Sequence, residues 1–194
     1  QATLELLRKE GFEWAASDET VLARALGRAE PGGEGWAGAL YRPYRVETSA
    51  GPIAMVFRDR ALSDLIGFTY MEWDPERAAE DFVRRVLEAG ARARAEGTES
   101  PLVAVILDGE NCWETYPDDG WPFLKSLYAR LAEDPRIEPI TVGDALERIP
   151  PRESLRHVPL GSWIDSDLGV WIGHAEKNHA WNELGRAREC VEAA

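Results

Sequence analysis

The sequence predicts an α/β protein built on a parallel sheet or barrel. Two observations carry this. Short apolar runs of strand length, above all Leu102–Leu107, end abruptly in acids, and segments with helical spacing separate them. A strand-helix-strand-helix rhythm is the pattern of parallel sheets, whose strands are buried on both faces and read as continuous apolar runs. The strands are too few to close a barrel.

Element by element, Gln1–Gly11 has helical spacing with Leu4 and Leu7 on one face, and Gly11 is its stop. Phe12–Ser17 reads as a short strand with Asp18-Glu19 at its end, and Thr20–Leu26 as a short helix. Gly27–Gly38, rich in Gly and acids, reads as a surface loop. Tyr41–Thr48 alternates like a half-exposed strand, Ser49-Ala50-Gly51-Pro52 supplies turn residues, and Ile53–Phe57 is an inner strand pairing with it as a hairpin. Ala61–Tyr70 is helical.

Asp74-Pro75-Glu76 is a helix start: a capping acid, Pro in the first turn, and an acid facing the dipole. That helix runs to about Glu96, with Ala79, Phe82, Val83, Val86 and Leu87 as its apolar stripe. Leu102–Leu107 follows as a strand expected to be buried on both faces. Pro122–Ala132 is a helix, Ile137–Thr141 a strand, and Thr141 caps a last helix before Pro150-Pro151. The expected division is residues 1–150 as a partial barrel and 151–194 as a helical segment packed on it, with Trp171 and Trp181 in the core of that tail.

Composition narrows the partners. Lys and Arg number 22 against 35 Asp and Glu, a net charge of −13, which repels a phosphate backbone or an anionic membrane surface. No nucleic acid and no membrane is expected; no apolar run approaches the ~18 residues of a membrane helix. Cys112 and Cys190 stand far apart in no metal or redox motif, which fits a reducing compartment and slightly favours the cytoplasm.

The richest stretch is Asp108-Gly109-Glu110-Asn111-Cys112-Trp113-Glu114, at the end of the longest apolar run. Parallel strands of barrels and open sheets carry their chemistry at the C-terminal end. Carboxylates beside an indole suit sugar handling: acids move protons, and the ring packs on a pyranose face. The structural alternative is a helix start capped by Asp108 with Trp113 in the core. Arg58 and Asp59 end another apolar run and reach the same rim, or pair with each other.

Three blocks together resemble glycoside hydrolase family 57, its amylopullulanase-like branch in particular. They are Phe57–Phe68, Leu107–Glu114, and Gly161-Ser162-Trp163-Ile164 with Trp171–His174 and Asn178–Trp181. The resemblance implies part of an incomplete seven-stranded (β/α) barrel followed by a helical region. It implies a retaining hydrolase or transglycosylase of α-glucans, with α-1,4 and in some members α-1,6 links as substrate, and no cofactor. The Asp of the family's Asp-x-Glu block is the acid/base, and Asp108 matches it. Arg58, Asp59, Glu110, Trp113 and Trp163 are the candidate substrate-binding residues.

The chain departs from the family at the nucleophile. In this branch a Glu sits in a Trp-Pro-Ser-Glu segment before a helix that looks like Gln1–Glu10. That segment is expected just upstream of Gln1, with the N-terminal part of the same barrel as the missing partner. The family's early His-Gln-Pro strand is also absent. The 194 residues alone are therefore expected to be inactive, and to be marginally stable or self-associating.

Two other readings stand beside this one. A non-catalytic glucan-binding or regulatory barrel would lack the nucleophile altogether. A metal-dependent polysaccharide deacetylase would need His ligands at strand ends. The histidines are His157, His174 and His179, all C-terminal, and the last two are five apart, a poor fit to i, i+4 ligation, so no metal site is expected.

Overall fold

A computed structural model describes residues 2–109, 112–164 and 166–193. Helix α1 (Ala2–Lys9) leads to strand β1 (Trp14–Asp18) and helix α2 (Glu19–Ala25). Helix α3 (Trp36–Leu40) precedes β2 (Tyr44–Val46), which turns back into β3 (Ile53–Arg58). Then come α4 (Arg60–Phe68), the long α5 (Pro75–Ala95), α6 (Trp121–Glu133) and α7 (Val142–Arg148). Strand β4 (Glu153–Leu155) and helix α8 (Ala175–Glu192) close the described chain.

The sheet is open and mixed, in the order β1-β3-β2-β4. β1 lies parallel to β3, with Asp18 opposite Arg58, and β2 forms the expected antiparallel hairpin with β3. β4 lies parallel to β2, just past the expected boundary at residue 150.

Two apolar clusters hold the layers together. One joins α2, α3 and the sheet to the C-terminal half of α5 through Ala89 and Ala93. The other joins α4 and α6 to the N-terminal half of α5 through Ala78, Ala79, Phe82 and Val83. A single 21-residue helix thus ties both clusters, its start fixed by Asp74, whose carboxylate accepts from Arg77 N at 3.0 Å.

Three expectations are corrected. Gly27–Gly38 is not all loop: α3 begins within it, at Trp36, after Gly35 takes the left-handed backbone (φ 72°) that glycine adopts without strain. Leu102–Leu107 is not a strand buried on both faces. It runs half-buried beside the C-terminal half of β3, with one bridge between Ala104 and Arg58 and a bond from Asp59 N to Ala104 O at 2.9 Å. Ile137–Thr141, the expected neighbour strand, is not a strand either. Pro139 within it has no N–H to give to a ladder. An apolar cavity of about 840 Å³, lined by Val103, Val105, Leu107, Leu131 and Ile140, lies between the two segments.

The tail also differs from expectation. α8 has no buried residue, and Trp171 and Trp181 are exposed, the indole N–H of Trp181 donating to Trp171 O at 2.8 Å. No helix among the described residues is long and apolar enough to cross a membrane.

Candidate functional site

Three Asp residues stand at the ends of apolar runs, and local geometry gives them different work. Asp18 ends β1 and caps α2, accepting from Thr20 N at 2.9 Å. Asp59 follows β3 and caps α4, with Oδ1 accepting from Leu62 N at 2.9 Å and Oδ2 from the buried Tyr41 hydroxyl at 2.5 Å. Among the described residues no α-helix follows Asp108 before Trp121. The next helical turn among the described residues is a 3₁₀ turn at Trp113–Thr115, which has no side-chain capping bond from Cys112.

Asp108 is exposed and lines a pocket of about 390 Å³ at the C-terminal ends of β1 and β3. Ser17, Arg58, Asp64, Cys112 and Trp163 share that lining. Arg58 is nearly buried, and its guanidinium carbon lies 5.1 Å from the centroid of the Trp163 ring, a cation–π contact. Its Nε donates to Asp18 Oδ2 at 2.8 Å, and its Nη2 lies 3.6 Å from Asp64 Oδ1. Burial pushes the Asp64 carboxyl up, against the lowering pull of Arg58 and Arg60.

Of the sequence candidates, Asp108, Arg58 and Trp163 come together. Asp59 does not line the pocket, and Arg58 pairs with Asp18 rather than with Asp59. Trp113 packs on Tyr116 with ring centroids 5.3 Å apart and lines the apolar cavity, not the Asp108 pocket. Glu110 lies outside the described residues.

The sequence reading placed Asp18 at a strand end and took Asp64 for a helix-surface or capping residue, and it put neither in the site. Asp18 is fully buried and also takes Arg60 Nη2 at 2.7 Å and the Thr20 hydroxyl at 2.6 Å. Burial would push its carboxyl up, but the bonds from Arg60, Thr20 and Arg58 outweigh that and hold it below the usual carboxylate range. Next to it, burial raises Glu19, whose Oε2 accepts from Trp36 Nε1 at 3.1 Å. Among the described residues no cluster of His, Cys, Asp and Glu could hold a metal ion.

The fold is of the mixed α/β class, with acids, a guanidinium and an indole gathered in a cleft at strand C-termini. The chain belongs to glycosyl hydrolase family 57, whose model matches residues 1–159. The solved structure of 4-alpha-glucanotransferase from Thermococcus litoralis is similar in fold, with a TM-score of 0.59 at 18% identity. The likeness covers 97% of this chain and 27% of that one, so the chain spans about a quarter of that protein's length. No curated protein matches.

Proposed function

We propose that the chain is the acid/base-bearing part of a retaining glycoside hydrolase or transglycosylase acting on α-glucans, and that its sheet belongs to an incomplete seven-stranded barrel. The observation that carries this reading is the placement of Asp108 in one pocket with Arg58, Asp64 and Trp163, while the acids ending β1 and β3 are committed to helix caps.

In this reading the Asp108 carboxyl protonates the glycosidic oxygen as the bond breaks. It then takes a proton from water, or from a sugar hydroxyl in transfer. The nucleophile is the Glu of a Trp-Pro-Ser-Glu segment, which this sequence does not contain. The two carboxyl groups of a retaining pair stand about 5 Å apart. The second carboxylate attacks the anomeric carbon while the first delivers the proton to the leaving oxygen. Trp163 offers its face to a pyranose ring, Arg58 donates to sugar hydroxyls, and Glu110 is assigned a further hydroxyl contact.

The test is the chain extended upstream through that segment, assayed on amylose and maltoheptaose. Asp108→Asn should lower kcat/KM by roughly 10²–10⁴, the usual worth of positioned acid/base catalysis. Azide should restore turnover of a glucosyl donor that needs no protonation to leave. Full activity in Asp108→Asn would overturn the assignment. Binding of maltoheptaose with no turnover by the extended parent would favour the non-catalytic glucan-binding reading.

A further inference from the structure

We propose that Asp18 is a positioning residue for the pocket, holding both halves of the Arg58–Trp163 stack from behind. The inference rests on the α-glucan reading of the site only for its consequence in binding.

Asp18 and Arg58 are direct register partners on two parallel strands. The carboxylate is fully buried, and the Arg58 side chain that it grips through Nε is only 8% exposed. With Nε fixed on Asp18 at 2.8 Å, the planar guanidinium has little freedom to rotate. Its other nitrogens are left on the pocket side, where Nη2 lies 3.6 Å from Asp64 and the ring of Trp163 covers the plane.

The ring is held by a second route to the same carboxylate. Trp163 sits on a strap in which Ser162 N donates to Asp167 O at 3.1 Å, and the Ser162 hydroxyl donates to Ile164 O at 2.9 Å. A Cβ on Gly161 would come within 2.5 Å of Ser166 O, so the strap closes only with glycine there. Ser166, buried and with φ 55°, docks the strap on α2. Its carbonyl accepts from Arg24 Nη1 at 2.7 Å, and its hydroxyl bonds the Thr20 hydroxyl. Thr20 gives its one hydroxyl proton to Asp18 Oδ1, so the Ser166 hydroxyl is the donor to Thr20. The relay runs Ser166 to Thr20 to Asp18.

One buried carboxylate thus sets where the cation lies directly and where the ring lies through Thr20. Arg60 shares Asp18 at 2.7 Å and reaches the Thr20 hydroxyl only at 3.4 Å, and it does not line the pocket. That separates a positioning role from a general loss of buried charge.

The experiment is fluorine NMR of the chain labelled with 5-fluorotryptophan, the Trp163 resonance being assigned by its loss in Trp163→Phe. Asp18→Asn and Arg58→Gln should each shift or broaden that resonance, while Arg60→Gln leaves it within a line width. Maltoheptaose affinity, read by calorimetry, should fall roughly tenfold in the first two variants, about 1.4 kcal/mol. An unmoved Trp163 resonance in folded Asp18→Asn, or an equal shift in Arg60→Gln, would overturn the proposal. Should Asp18→Asn not fold, Thr20→Val, which cuts the relay between Asp18 and Ser166, decides alone: an unmoved Trp163 resonance there would overturn the proposal. A parent that binds no maltoheptaose, with the resonances behaving as expected, would count against the α-glucan reading and leave the positioning role standing.

Discussion

Asp59→Ala separates support from binding at a residue whose sequence position suggests the pocket rim. Asp59 is 6% exposed and serves two donors, Leu62 N and the Tyr41 hydroxyl. Loss of a helix cap costs about 1 kcal/mol. A buried hydroxyl left without its acceptor adds about 1–3 kcal/mol. The sum is roughly 2–4 kcal/mol. With a urea dependence of about 2 kcal/mol per molar, the unfolding midpoint should fall by about 1–2 M. Tyr41→Phe removes only the second bond and should cost less than Asp59→Ala. Maltoheptaose affinity of the folded fraction should stay within about twofold, because Asp59 lines no part of the pocket. A midpoint within about 0.3 M of the parent would refute the support role, since the extrapolation resolves shifts well above that size. Lost binding with an unmoved midpoint would return Asp59 to the substrate.

Gly120→Ala should lower the melting temperature by at least about 5 °C by calorimetry: Gly120 has φ 76°, and a Cβ there would lie 2.5 Å from Trp113 Cε3, a combined cost of roughly 2–4 kcal/mol. An unchanged melt would show that Trp113 is free to move aside. Asp81 carries the clearest pH signature. Burial pushes its carboxyl up, but bonds from Arg85, Tyr70 and Arg84 outweigh this and bring it to about 2. A folded value below the unfolded one of about 3.9 means stability present above pH ~4 and lost as pH falls toward 2. The gap in melting temperature between the parent and Asp81→Asn should therefore narrow across that window, and a constant gap would refute the linkage.

Legibility in the sequence followed the range of the interactions. α5 was readable to within a residue because its cap, its Pro and its apolar stripe are all local. The β2–β3 hairpin was readable for the same reason. α3 was hidden because its start depends on one left-handed glycine in a glycine-rich stretch, where composition says loop. β4 was missed because its three residues alternate weakly and are held by pairing to β2, more than a hundred residues earlier. Leu102–Leu107 carries the strongest strand pattern of the chain, yet pattern reports the capacity for burial and not the presence of neighbours. Pro139 removes a donor from the segment that would flank it.

The site divides along the same line, and the division separates the two capping acids from Asp108. Asp18 and Asp59 are each followed at once by a helical pattern, and a helix start leaves N–H groups that a carboxylate satisfies at its own end. At Asp108 the sequence left two readings open, a helix start or a site acid, and only its match to the family's Asp-x-Glu block set it apart from the other two. What no local pattern could show is that Asp18 also reaches across the sheet to Arg58, and through Thr20 and Ser166 to the strap that carries Trp163, 40 to almost 150 positions away. Those bonds exist because β1 and β3 lie parallel in a register that sets Asp18 opposite Arg58. A capping acid and a positioning acid are then one residue, since a carboxylate has lone pairs for both the helix start and the neighbouring strand.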